Sequence, residues 1–300
     1  MNTNYTPPNS NSIPLLRTIT DLLPSHQRTT LSQLSLLLHF HPGSLSLTDT
    51  IIKSLDVDGT TGTVLEVGCG LGGILFEVAR RHKDVETLVG FDAEKEYIDV
   101  ANGIKSWDSV SSEISGTVFS ALSRMRFIHH RIDSQESEPP KIWEFAPTGG
   151  VQRAIISHVA VNLSSAGLQE VAENLERSVS EGGKLVIYEP FLSCRGGYGE
   201  EVEEQEVKFP LPFARDREDC CFLRTKEEFL RLFGAEEEKW DLVAEKRITV
   251  DEILPKRGGE LPPVSLKQLL GEGAGVKVKN LVDGVRGGGL EIWMMTFVRK

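Results

Sequence analysis

"VLEVGCGLGG", residues 64–73, puts four glycines into ten residues directly after an apolar run. The stretch "TVLEVG" predicts a β-strand, and "LGGILFEVARRH" a helix with Leu71, Leu75, Val78 and Ala79 on one face. A strand that enters a glycine turn and leaves as a helix has the form of a nucleotide-type site. Glycine lets backbone approach a ligand, and the first turn of a helix offers N–H groups without partners. Gly68, Gly70 and Gly73 also satisfy G-x-G-x-x-G, the dinucleotide pattern, which on its own is weak evidence. Glu66, two residues before the first glycine, argues the other way: a carboxylate repels a pyrophosphate and attracts an ammonium.

Outward from this stretch the chain alternates strands and helices. Strands are predicted over 86–92, 126–133, 151–161 and 184–191, and in "WDLVAEKRITV" and "LEIWMMTFVRK". Helices are predicted from about Ala93 to Ser106 and in "SAGLQEVAENLERSVSEGG", ended by Gly182 and Gly183. A further helix, "TKEEFLRLFGA", has Thr225 as N-cap and Glu228 completing a capping box. Ahead of the glycine strand, residues 13–55 read as helical; "HFHPG" interrupts them, and Ser46 or Thr48 is a candidate N-cap for the last helix. The pattern predicts an α/β fold: a doubly wound, seven-stranded, mostly parallel sheet with N-terminal helices, forming one domain over 13–300. Residues 1–12, rich in Asn, Pro, Ser and Thr, are expected to be a disordered segment. Stretches 193–224 and 254–288 read as insertions without regular rhythm.

Composition narrows the class. The 300-residue chain has a net charge of -11 and no long Lys/Arg cluster, which weighs against nucleic acid as partner. No apolar run approaches the ~20 residues that cross a bilayer, and the first residues form no secretory signal, so a cytoplasmic location is expected. The four cysteines show no metal-ligand spacing, and no metal is expected. The sequence leaves oligomeric state open.

Taken together, "VLEVGCGLGG", "LVGFD", "FIHHRID" and "RAIISHVAVNL" resemble the motifs of class I S-adenosylmethionine (SAM) dependent methyltransferases over about residues 40–300. The glycine strand follows helices, a fifth strand ends in "EP", and the last two strands suit that family's reversed pair at the sheet edge. The resemblance implies a Rossmann-like fold and SAM as cofactor. Glu66 would position the methionine end, beside Gly68, Cys69, Gly70 and Gly72. Asp92 would accept from the ribose hydroxyls, and Ala93 would line the adenosine pocket. Asp133 would bond the adenine amino group, with Ile132 or Ser134 beside it. His158 and Val159 would sit near the transferring methyl, and Asn162 on the acceptor side. "HPG" at 41–43 is similar to the segment preceding the glycine strand in several small-molecule methyltransferases, so His41 would touch acceptor or cofactor. The fourth-strand segment lacks the Asn/Asp-Pro-Pro-aromatic signature of enzymes that methylate bases or glutamine.

Methyl transfer needs alignment and exclusion of water, with a base where the acceptor carries a proton. Among seven histidines, His158 is the candidate base. The expected function is methyl transfer from SAM to a small organic acceptor. Other readings are a protein methyltransferase that grips a basic peptide through "EEVEEQE", an NAD-dependent oxidoreductase, and a relative that keeps SAM without methylating.

Overall fold

The structure, a computed structural model, describes residues 44–105, 123–130, 149–193, 207–208, 220–234, 239–254 and 272–300. The strand under the glycine turn, β1 (Thr63–Val67), is buried along its whole length, as a central parallel strand covered on both faces must be. Helix α1 (Ser44–Leu55) precedes it. After it come α2 (Gly73–Arg81), β2 (Thr87–Asp92), α3 (Lys95–Lys105), β3 (Met125–His129) and β4 (Val151–Ser157). A 3-10 turn (Ala160–Asn162), α4 (Ser165–Ser178) and β5 (Val179–Leu192) follow. The short ribbon β6 (Val207–Lys208) and β7 (Cys220–Cys221) leads to α5 (Lys226–Leu232) and β8 (Trp240–Ile248). The chain finishes with α6 (Val250–Ile253), α7 (Glu272–Arg286) and β9 (Leu290–Arg299).

Seven strands form one sheet in the order β3-β2-β1-β4-β5-β9-β8. β1 lies parallel between β2 and β4, while β9 runs antiparallel to both β5 and β8. The sheet is therefore doubly wound and mostly parallel, with a single reversed strand. Alternate residues point to opposite faces. Val64, Ile155, Val186 and Tyr188 pack under α1, α2 and α7; Leu65, Val67, Ile156 and Ile187 pack under α4 and α5.

Several local expectations need correction. The fourth strand stops at Ser157 rather than 161, because the next residues turn away to donate hydrogen bonds to β5, described below. Helix α4 ends at Ser178, and Val179 is already paired with Val151, so Gly182 and Gly183 lie inside β5 and do not cap the helix. Gly183 is needed there because a Cβ would stand 2.7 Å from Val179 Cγ1. Helix α1 begins at Ser44, which puts Ser46 and Thr48 inside it. The stretch 254–288 is not irregular throughout. It contains α7, whose Val278, Leu281, Val282 and Val285 join the core at helical spacing despite glycines that disfavour a helix. Thr225 does cap α5, its hydroxyl accepting from the Glu228 N–H at 3.1 Å. Residues 1–43, including the expected disordered segment, lie outside the described residues.

Candidate cofactor and active site

The strand order reverses at β1. Its neighbours β2 and β4 lie on opposite sides, and the helices that follow β1 and β4 cover opposite faces of the sheet. In open α/β sheets ligands bind outside the carboxyl ends of the strands at such a reversal, which here is formed by the turns after β1 and β4. In the turn after β1, Gly68, Gly70 and Gly72 have φ of 70°, 53° and 82°, the left-handed region. The turn is tied to β2: Cys69 N–H donates to Phe91 O at 2.8 Å, and Gly70 N–H to Asp92 Oδ2 at 2.7 Å. Two of its glycines answer to the protein's own packing as well as to any ligand. A Cβ on Gly68 would stand 2.1 Å from Val159 Cγ2, and one on Gly72 2.4 Å from Phe127 Cε1.

Glu66 and Asp92 bring two acids to this turn. Glu66 is 3% exposed, and its Oε2 has no hydrogen-bond partner among the described residues. Burial first, and then the charge of Asp92, push its carboxyl well above the usual range, opposed by the Leu75 N–H at the start of α2. Burial also raises Asp92, against hydrogen bonds from Glu94 and Gly70 and the nearby His129. Asp92 Oδ1 takes the Glu94 N–H at 2.8 Å. Each of its oxygens thus keeps further acceptor capacity for hydroxyl donors. Ala93 is exposed at the end of β2, and its carbonyl lies 3.1 Å from His129 Nε2. The Cys69 thiol is raised by burial and by both acids, so it stays protonated. Among the described residues neither Glu66 nor Asp92 forms an ion pair.

The facing turn follows β4. His158 has φ 56°, uncommon for a residue with a side chain. Its N–H donates to Tyr188 O at 3.0 Å, and its carbonyl accepts from Asn162 Nδ2 at 3.1 Å. The ring nitrogens are buried, and the imidazole meets Tyr188 edge-on with centroids 4.7 Å apart. Burial lowers the imidazole to about 3, so it is neutral in ordinary buffers. Beside it, the buried Ser157 Oγ has no partner among the described residues.

What bends the chain here is Glu189, on β5. Its Oε1 accepts from the N–H groups of Val159 at 2.6 Å and Ala160 at 3.0 Å. Glu189 is fully buried, which moves its carboxyl up to about 8 even against those donors and the charge of Arg224. Arg224, also buried, donates to Ala160 O at 3.1 Å and Leu163 O at 2.6 Å. Sequence reasoning missed both residues. The available signal was a glutamate inside the apolar run "LVIYEPF", where an unpaired acid is costly.

The structure thus gathers Glu66, Gly68, Cys69, Gly70, Gly72, Asp92 and Ala93 at one turn and His158, Val159 and Asn162 at the facing one. His41, Ile132, Asp133 and Ser134 lie outside the described residues. Among the described residues, no three His, Cys, Asp or Glu side chains gather as metal ligands would, and no helix is long and apolar enough to cross a membrane.

No protein-family model matches the sequence, and no curated protein sequence resembles it significantly. Solved structures do resemble it in three dimensions. Geranyl diphosphate C-methyltransferase from Streptomyces coelicolor A3(2), in complex with Mg2+, geranyl-S-thiolodiphosphate and S-adenosyl-L-homocysteine, gives a TM-score of 0.58 at 15% identity, over 86% of this chain and 76% of that one. Phosphoethanolamine N-methyltransferase 2 of Haemonchus contortus, holding S-adenosylhomocysteine, gives 0.58 at 15% identity, over 87% of this chain and 54% of that one. The [4+2]-cyclase SpnF gives 0.51 at 15% identity, over 84% and 79%. The chain therefore has the Rossmann-like fold of class I SAM-dependent methyltransferases, the fold expected from its motifs.

Proposed function

We propose that the protein is a SAM-dependent methyltransferase acting on a small organic acceptor. The observation that carries the reading is Glu66: a buried acid beside a second acid, with no cation paired to it among the described residues, at the strand-order reversal of this fold. A cationic ligand relieves that arrangement, and a pyrophosphate aggravates it. The orphaned Glu66 Oε2 fits the ammonium of SAM. Gly68, Cys69, Gly70 and Gly72 would line its methionine end, Asp92 and Ala93 its ribose and adenine. Asp133 and Ser134 would complete the adenine end. SAM supplies a methyl group already activated on a sulfonium.

The chain's own contribution is alignment and exclusion of water. His158 and Val159 would face the reacting centre, with Asn162 and His41 toward the acceptor. A histidine lowered to about 3 is too weak to deprotonate an acceptor in advance. Neutral and with both ring nitrogens buried, it would shape the acceptor side of the crevice by packing rather than act as a base. The net charge of -11 supports a small acceptor over nucleic acid.

Calorimetric titration with S-adenosylhomocysteine and with NADH tests the cofactor. Heat with the first and none with the second is expected; the reverse overturns the reading. Incubation with tritiated SAM and cell extract tests the acceptor. Label in the organic extract supports a small molecule, and label in protein bands replaces it with a peptide.

A further inference from the structure

We infer that Glu189 is a positioning residue that couples the two turns of the crevice, its carboxyl holding the backbone of Val159 while the Val159 side chain is wedged over Gly68. The inference rests on the methyltransferase reading only in assigning a ligand to that crevice. The coupling itself is read from contacts. Glu189 Oε1 takes the N–H groups of Val159 and Ala160, at 2.6 and 3.0 Å. Arg224 holds the same turn by its carbonyls, through Ala160 O and Leu163 O, while its own carbonyl accepts from Leu192 N–H at 2.8 Å. Phe222 N–H adds a bond to Val161 O at 2.8 Å. Donors and acceptors of one short turn are thus gripped from both sides by buried side chains, so Val159 has little freedom to move.

Val159 in turn restricts the glycine turn. Its Cγ2 occupies the place where any Cβ on Gly68 would go. Gly68 directly follows Val67 and lies two residues from Glu66. A shift of Val159 therefore opens space behind the turn that would hold the cofactor. The hydrogen bonds just described from Glu189 and Arg224 hold the turn after β4, and they bear on the glycine turn through Val159. The arrangement sets the spacing between the cofactor side and the acceptor side of the crevice, the quantity on which an in-line transfer depends.

Amide hydrogen exchange of the full-length protein, without ligand, tests the coupling. In Glu189→Ala, exchange is expected to quicken about tenfold or more in peptides covering 158–163 and also in those covering 67–73, with α4 and β2 unchanged. Glu189→Gln keeps an oxygen acceptor and should restore protection at both turns. Faster exchange confined to 158–163, or spread evenly over the molecule, overturns the inference. Should Glu189→Ala not fold, Val159→Ala decides: it leaves the Glu189 bonds in place and should still loosen 67–73, and unchanged exchange there overturns the coupling. Calorimetry with S-adenosylhomocysteine runs in parallel. Wild-type protein that shows no heat removes the cofactor reading while leaving the exchange result to judge the coupling.

Discussion

Two buried acids flank the crevice, and the difference between them is the sign of the charge beside each. Glu189 sits near the Arg224 guanidinium and spends Oε1 on two backbone N–H groups. Glu66 has another acid, Asp92, for its neighbour and one opposing N–H from Leu75. Both carboxyls rise on burial, and both keep Oε2 without a hydrogen bond among the described residues. Burial and a raised pKa therefore do not by themselves separate a structural acid from a ligand-binding one. The surroundings differ: those of Glu189 are complementary to it, whereas those of Glu66 are not, and the proposed cationic ligand would supply what they lack.

The sharpest way to break this division is at the contact joining the two turns. Gly68→Ala combines a φ of 70° with a Cβ 2.1 Å from Val159 Cγ2. Strain and overpacking together should cost about 3–5 kcal/mol in chemical denaturation. Gly59→Ala, with open space around it, should stay within about 0.5 kcal/mol. Next comes Glu189→Ala, which strands two N–H groups and should lose about 2–4 kcal/mol of stability in the same assay. Glu66→Gln should do the opposite. It removes a repelled acid, so stability holds or rises, while SAM affinity measured by calorimetry falls about ten- to a hundredfold with the lost charged hydrogen bond. Equal losses of stability in both variants would erase the distinction.

The smallest effect is on pH dependence. The Glu189 carboxyl lies at about 8 in the folded protein against an ordinary 4.5, so the folded state binds its proton more tightly. Stability must therefore fall as pH rises between those values. His158, lowered from 6.5 to about 3, has the reverse sign, and its contribution is complete by pH 6.5. Between pH 6.5 and 8 wild-type protein should lose about 2 kcal/mol or less that Glu189→Gln does not, as read by denaturant midpoints at each pH.

The sheet was legible because its signals are local. "TVLEV" and "TLVGFD" are apolar enough to be buried strands, and the glycines between strand and helix mark the turn. That Glu66 and Asp92 meet at this turn was legible from their places relative to those glycines. The end of β4 was not, since "HVAV" looks like more strand and is bent by Glu189, about 30 residues later in the chain. Gly182 and Gly183 misled for a related reason. They follow a helical pattern, but pairing of Val179 with Val151 decides where the helix stops. Helix α7 was hidden by its glycines, because propensity is local while the packing of Leu281 and Val282 that overrides it is not.

The place of β9 has a consequence for synthesis. It follows β8 in the chain yet lies between β5 and β8. A nascent chain that has not reached Leu290 can pair β3, β2, β1, β4 and β5, but β5 then ends the sheet as a bare edge carrying Val186, Ile187 and Tyr188. Such an edge invites pairing with a neighbouring chain until β9 covers it.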